Sequence, residues 1–196
     1  FGLILFVFLV CLSIGTPVAT WLARRFGPDA LSIGLAATGV ALCLSSVLWD
    51  KIPAVFVALG PVVRAWHSRE LVRIACSLSA LFVPVVLMGT TFPLVLRAAR
   101  AETAGLDVGR ITAANTLGSI AGSLLGGFVL LPAVGSQRSV FAIAILYAAL
   151  ALVADGRAAR RRPRTLAPAI AVLVLIALLP RWDMSRLTSG ANVYFD

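Results

Sequence analysis

The run from Ala113 to Pro132, AANTLGSIAGSLLGGFVLLP, constrains this chain most, because it carries no ionisable side chain anywhere along its length. A helix of that length crosses a hydrocarbon core of roughly 30 Å. Ala114, Gly118, Gly122 and Gly126 recur at every fourth position, so a helix stacks them into a groove with almost no side-chain volume. Between helices in lipid the hydrophobic drive is absent, and a small-residue groove gains its attraction by letting a second backbone come close. The run is therefore expected to be a packing helix inside a polytopic bundle.

The rest of the chain fits a membrane setting. Hydrophobic residues make up 60 % of the 196 positions and charged residues only 13 %, where a soluble domain carries about 25 % charged. The expected fold is an all-α transmembrane bundle of about five to six spans. Lys and Arg total 17 against 8 acids, which in a soluble protein would point to nucleic acid. Here the cations fall in short clusters between apolar runs, at Arg24-Arg25, Arg97 to Arg110 and Arg157 to Arg164. That is the positive-inside pattern of a protein whose partner is the lipid bilayer, and it argues against nucleic acid. Cys11, Cys43 and Cys76 lie far apart in apolar stretches with no metal-ligand spacing, so they read as small buried residues.

Along the chain, spans are expected at about 1–22, 30–49, 71–96, 111–131 and 139–153. Residues 51–70 read as a loop with an interfacial helix, and Pro84 and Pro93 predict a kink in the third span. Leu166 to Leu179 is a short apolar run between Pro168 and Pro180. If it crosses the membrane, the C-terminus lies opposite the arginine clusters; if it lies in the interface, the two share a side. After Pro180 the chain turns polar, so 1–180 is read as the helical domain and 181–196 as a junction. The start at Phe1 and the stop at NVYFD are those expected of a piece of a longer protein.

Catalytic chemistry is not visible. None of the eight acids falls within an expected span, no nucleophile–base pair or metal-ligating cluster stands out, and His67 beside Trp66 reads as interfacial. A proton-coupled or polycation carrier needs ionisable groups in the membrane. Two polar sets remain. Asn115 and Thr116 sit at the entrance of the glycine helix, where they either bond a neighbouring helix or contact a ligand or lipid. Thr90 and Thr91 precede Pro93 in MGTTFP, where a hydroxyl can satisfy the carbonyl that the proline leaves free.

Taken together, IGTPVATWLARR (14–25), LMGTTFPLVLRA (87–98), VGRITAANTLGSIAGSLLGGFVLLPAVG (108–135) and WDMSRLTSGANVYF (182–195) resemble the bacterial membrane-bound spermidine synthase-like proteins. In that family a helical region similar to half a major-facilitator transporter precedes an aminopropyltransferase-type domain. The resemblance implies a multi-pass protein of the bacterial inner membrane, in which 181–196 is the truncated start of an α/β domain. That domain would move an aminopropyl group from decarboxylated S-adenosylmethionine, its cosubstrate, to a polyamine. Trp182, Asp183, Leu187, Thr188, Ser189 and Gly190 match the junction motif, with Asp183 expected as a turn or cap. No catalytic or metal-binding residue carries over to this chain, and no cofactor is expected in it. Its partners would be the bilayer, its own downstream domain and, in an oligomer, further copies of itself. The alternatives are half of a transporter-like bundle for polyamines or another small solute, and a non-catalytic membrane scaffold.

Overall fold

The computed structural model describes residues 2–63, 65–100, 106–156 and 163–190. Residues 101–105 of the Arg97–Arg110 loop, 157–162 of the arginine-rich cluster and 191–196 of the junction lie outside the described residues. Within them the chain is helical and contains no strand. Among the described residues nine α-helices follow one another: α1 (Gly2–Phe26), α2 (Ala30–Trp49), α3 (Ile52–Leu59), α4 (Trp66–Arg100), α5 (Leu106–Leu124), α6 (Leu131–Val134), α7 (Ser136–Gly156), α8 (Pro163–Leu178) and α9 (Met184–Leu187).

Turn chemistry sets most boundaries. Gly27, at φ 56°, and Pro28 open the 3₁₀ turn Gly27–Asp29 between α1 and α2. A proline starts α3 within its first two positions, where the missing N–H has no helical partner in any case. Gly135 ends α6 at φ 82°, a left-handed conformation open to glycine at little cost. Pro84 and Pro93 lie inside α4, and the helix continues through both. Between α5 and α6 the chain runs as a π-helix, Leu125–Leu130, in which the Leu131 N–H donates to the Gly126 carbonyl five residues back.

Among the described residues four helical stretches are long and apolar enough to cross a membrane: Gly2–Leu59, which holds α1, α2 and α3, Trp66–Ala99, Val108–Val134 and Ser136–Asp155. Leu166–Leu178 is a shorter apolar helix. Lipid has no donors or acceptors for a free backbone, so apolar runs of this kind close their hydrogen bonds as helices.

The contacts fix how the helices run. Val7 packs with Val85, Gly15 meets Gly89 and Leu22 packs with Leu94, so α1 and α4 are parallel. Gly34 faces Thr90 and Leu94 while Leu48 and Ser79 line one groove, so α2 runs against α4. Leu35 packs with Ala151 and Leu42 with Ala144, which makes α2 and α7 antiparallel. Val172 of α8 touches Gly39 and the chain then reaches Ser46 at Trp182, so α8 is parallel to α2. Among the described residues α1, α4 and α7 thus point one way and α2 and α8 the other. Arg24, Arg25, Arg97 and Arg110 stand at one end of the bundle, and Trp49, Asp50, Gln137 and Trp182 at the other.

α2 is the central element, packed on α4, α7 and α8. Its buried positions include Gly34, Ala36, Thr38, Gly39, Ala41 and Cys43, residues small enough to admit helices on several sides. The hydroxyls that this burial removes from water bond back to helix carbonyls, Thr38 to Gly34 at 2.8 Å and Ser46 to Cys43 at 2.7 Å. α5 is the opposite case. Among the described helices it rests mainly on α4, and no residue of its membrane-length window is buried.

Candidate functional site

The tightest helix contact joins two of the sequence segments singled out above. A Cβ placed on Gly15 would lie 2.5 Å from the Gly89 backbone, and one placed on Gly89 would lie 2.3 Å from the Leu12 carbonyl oxygen. Only the absence of both side chains lets IGTPVA of α1 and MGTTFP of α4 touch backbone to backbone. This seam forms one wall of a cavity of about 780 Å³ between α1, α4, α5 and α7.

The cavity collects polar groups from all four helices. Ser13 and Thr16 come from α1, Thr91 from α4, Asn115 and Ser119 from α5, and Tyr147 from α7. Apolar side chains such as Leu12, Met88, Phe92 and Ile111 fill out the walls, and among the described residues none of the lining side chains is charged at neutral pH. Several hydroxyls are already engaged with the backbone, Ser13 with Leu9 at 2.8 Å and Ser119 with Asn115 at 2.8 Å.

Thr91 differs. Its Oγ1 is buried and makes no hydrogen bond of good geometry among the described residues; the Tyr147 side chain of α7 stands beside it as a hydrogen-bonding neighbour. Thr90, fully buried, donates to the Leu87 carbonyl at 2.7 Å. The proline expectation therefore takes another form: Pro93 frees the Gly89 carbonyl, whereas Thr90 serves Leu87 and Thr91 serves no carbonyl.

The chain matches no family model, no curated protein and no solved structure. Its site has to be argued from its own residues.

Of the sequence-derived candidates, Thr91, Asn115 and Ala114 come together in this cavity. Thr116 is exposed and donates to the Thr112 carbonyl at 3.0 Å, a local bond within α5. Gly118, Gly122 and Gly126 have nothing within 4 Å of an added Cβ, so the groove meets no helix among the described residues. The close approach predicted for it occurs at Gly15 and Gly89 instead. Gly15 does belong to a buried small-residue stripe at four-residue spacing, Cys11, Gly15, Ala19 and Ala23, whereas Gly89 has no small neighbour four residues away in α4; both fall in segments already marked as distinctive.

The junction residues gather at the far end. The Trp182 indole N–H donates to the Ser46 carbonyl at 2.8 Å, in the last turn of α2, where helix carbonyls lack donors of their own. The ring stacks on Trp49 at 5.8 Å and 12°. Gln137 holds both sides of the turn, donating to the Pro180 carbonyl at 2.7 Å and accepting from the Trp182 N–H at 3.0 Å. The Asp183 N–H reaches Asp50 at 2.9 Å, and the Asp183 carboxylate accepts from the Ser185 N–H at 3.1 Å. Asp183 is thus a cap for α9, as expected of a turn residue. Leu187 is half-buried at the end of α9, Thr188 and Ser189 are exposed, and Gly190 takes φ 81°. Among the described residues no group of three His, Cys, Asp or Glu could hold a metal.

Proposed function

We propose that this region is the membrane anchor of a spermidine synthase-like protein of a bacterial inner membrane, and that its Trp49 end holds the start of an aminopropyltransferase-type domain. The observation that carries the reading is the docking of Trp182 and Asp183 on Ser46, Trp49, Asp50 and Gln137. A tether that merely trails from a bundle has no need of an indole stack and several directed hydrogen bonds. A junction fixed in this way sets the orientation of the domain that follows it.

In this reading six helices cross the membrane, α8 among them. Val172 of α8 is fully buried between α2 and α7, which an interfacial helix would not need. Decarboxylated S-adenosylmethionine would be the cosubstrate of the attached domain. The acids that hold the amine and accept its proton during displacement at the sulfonium carbon belong to that domain. A polyamine-carrying half-transporter is the weaker alternative, because among the described residues no carboxylate lines the cavity between α1, α4, α5 and α7. A buried polycation without counter-charges is strongly disfavoured.

The test is aminopropyl transfer from decarboxylated S-adenosylmethionine to putrescine in isolated membranes. Residues 1–196 alone should give none, and the protein extended through the attached domain should give turnover. Turnover by 1–196 alone would refute the placement of the chemistry.

A further inference from the structure

We propose that the groove between α2, α4 and α8 holds one acyl chain of an anionic phospholipid, with the phosphate of that lipid on Lys51. The site stands apart from any attached domain and would be unaffected if the anchor reading failed.

α2 presents a continuous stripe to this groove. Ile33, Ala37, Val40, Leu44 and Leu48 recur at three- and four-residue steps, which keeps them on one helix face. The facing wall is α4 from Ser79 to Leu87, with Pro168 of α8 beside them, and the space between is about 520 Å³. Along α4 the lining rises about 12 Å, close to half of a hydrocarbon core of roughly 30 Å. The walls thus match the depth of one leaflet. Leu44, Leu48 and Val83 are exposed, which leaves the groove open sideways to the bilayer along that depth. Its lining hydroxyls are already engaged with helix carbonyls, Ser45 donating to Leu42 at 3.0 Å and Ser79 to Cys76 at 2.8 Å. A polar ligand finds no free partner among the described lining residues, whereas a hydrocarbon chain needs none.

Charge names the headgroup. Beyond Leu48 the backbone stays helical through Asp50 and Lys51, at φ −68° and −91°. The Lys51 N–H donates to the Leu48 carbonyl at 3.1 Å, so Lys51 continues the stripe of Leu44 and Leu48 one turn further on. Phe56 of α3 packs on Cys76, one turn of α4 beyond Ser79, so the groove ends at the turn that carries Lys51. Lys51 is exposed and forms no ion pair among the described residues. The described acids of that end are engaged elsewhere. Asp50 accepts from the Asp183 N–H at 2.9 Å, the Asp183 carboxylate accepts from Ser185, and Glu70 pairs with Arg73. Trp49, two residues before Lys51, and the exposed Trp66 mark the headgroup level, where indoles collect. A cation at that level attracts a phosphate most when the headgroup carries no compensating ammonium.

Native mass spectrometry of residues 1–196 released from detergent tests the site, with phosphatidylglycerol and phosphatidylcholine of the same acyl chains as probes. The first phosphatidylglycerol should bind more tightly than the first phosphatidylcholine. Lys51→Ala should weaken phosphatidylglycerol about fivefold, with a smaller change for phosphatidylcholine, and Lys51→Arg should keep the parent's affinity. Arg138→Ala removes an exposed charge at the same end, on α7, which does not line the groove. It should leave phosphatidylglycerol binding unchanged. Val83→Phe narrows the groove from an exposed position and should weaken both lipids by a common factor. The proposal is overturned if the two lipids bind equally, if Lys51→Ala and Arg138→Ala weaken phosphatidylglycerol to the same degree, or if Val83→Phe binds both lipids as the parent does. A dimer that excludes lipid, and that Val83→Phe breaks, would also overturn it by giving the groove to a second copy.

Discussion

At the scale of single residues, two kinds of glycine that look alike in the sequence behave differently. Gly89 sits where an added Cβ would fall 2.3 Å from the Leu12 carbonyl oxygen, and backbone cannot step aside as a flexible side-chain end can. Gly89→Ala should therefore pry α1 from α4 and cost at least about 2 kcal/mol, read as a lowered Tm in detergent or nanodiscs. Gly15→Ala should do the same. Gly118→Ala and Gly122→Ala meet open space and should be neutral for this chain, or stabilising by up to about 1 kcal/mol through helix propensity. A large loss of stability at Gly118 or Gly122 would mean that a helix beyond those described fills the groove. The four-residue spacing was legible from sequence, but it marks a surface able to pack and says nothing about which surface has a partner. Thr90 and Thr91 teach the same lesson: Thr90 donates to the Leu87 carbonyl, while Thr91 bonds no carbonyl and stands beside Tyr147 of α7, a difference that no spacing encodes.

Among the elements, α8 and the turn after it show where local pattern runs out. Apolar runs bounded by charged residues were sufficient to place α1, α2 and α4 within a few residues, and α3 falls inside the stretch expected to hold an interfacial helix. Leu166 to Leu179 was ambiguous, because fourteen apolar residues suit either an interface or a tightly packed crossing. The deciding contacts are long-range: Val172 against Gly39, and Trp182 against Ser46 and Gln137. Those partners are far apart in sequence, and composition cannot pair them. Trp182→Ala removes both the stack on Trp49 and the bond to Ser46. It should destabilise the turn by about 2–3 kcal/mol. Hydrogen exchange is the measurement: amide protection at residues 181–187 should fall while that of α1 and α4 is kept. Gln137→Ala, which frees the Pro180 carbonyl and the Trp182 N–H, should give a smaller loss in the same segment. Equal exchange in the parent and in Trp182→Ala would mean that the junction is not held at all.

For the molecule as a whole, helix direction turns the arginine pattern into a topology. Arg24 and Arg25 close α1, Arg97 lies near the end of α4 and Arg110 near the start of α5, all at one end of the bundle. The connection from α7 to α8, with Arg157 to Arg164, joins the same end by chain order. The opposite end carries fewer and more scattered cations. Lys51, Arg69 and Arg138 are among them, and Arg73 is paired with Glu70. Arginine near helix ends favours the cytoplasmic side, which puts Trp182 and the junction on the external face under the six-crossing reading. A domain attached there would meet its substrates outside the cytoplasm, a demanding condition for an aminopropyltransferase, so the topology and the anchor reading constrain each other. Alkaline phosphatase fused after Asp196 should be active in a bacterial host, and the same reporter fused after Arg110 should be inactive. If both fusions are inactive and a cytoplasmic reporter works at Asp196, α8 does not cross and its burial against α2 must arise by re-entry from the cytoplasmic face. If the Arg110 fusion is the active one, the arginine rule fails for this chain and every helix is inverted, while the docking of Trp182 on Trp49 is unchanged.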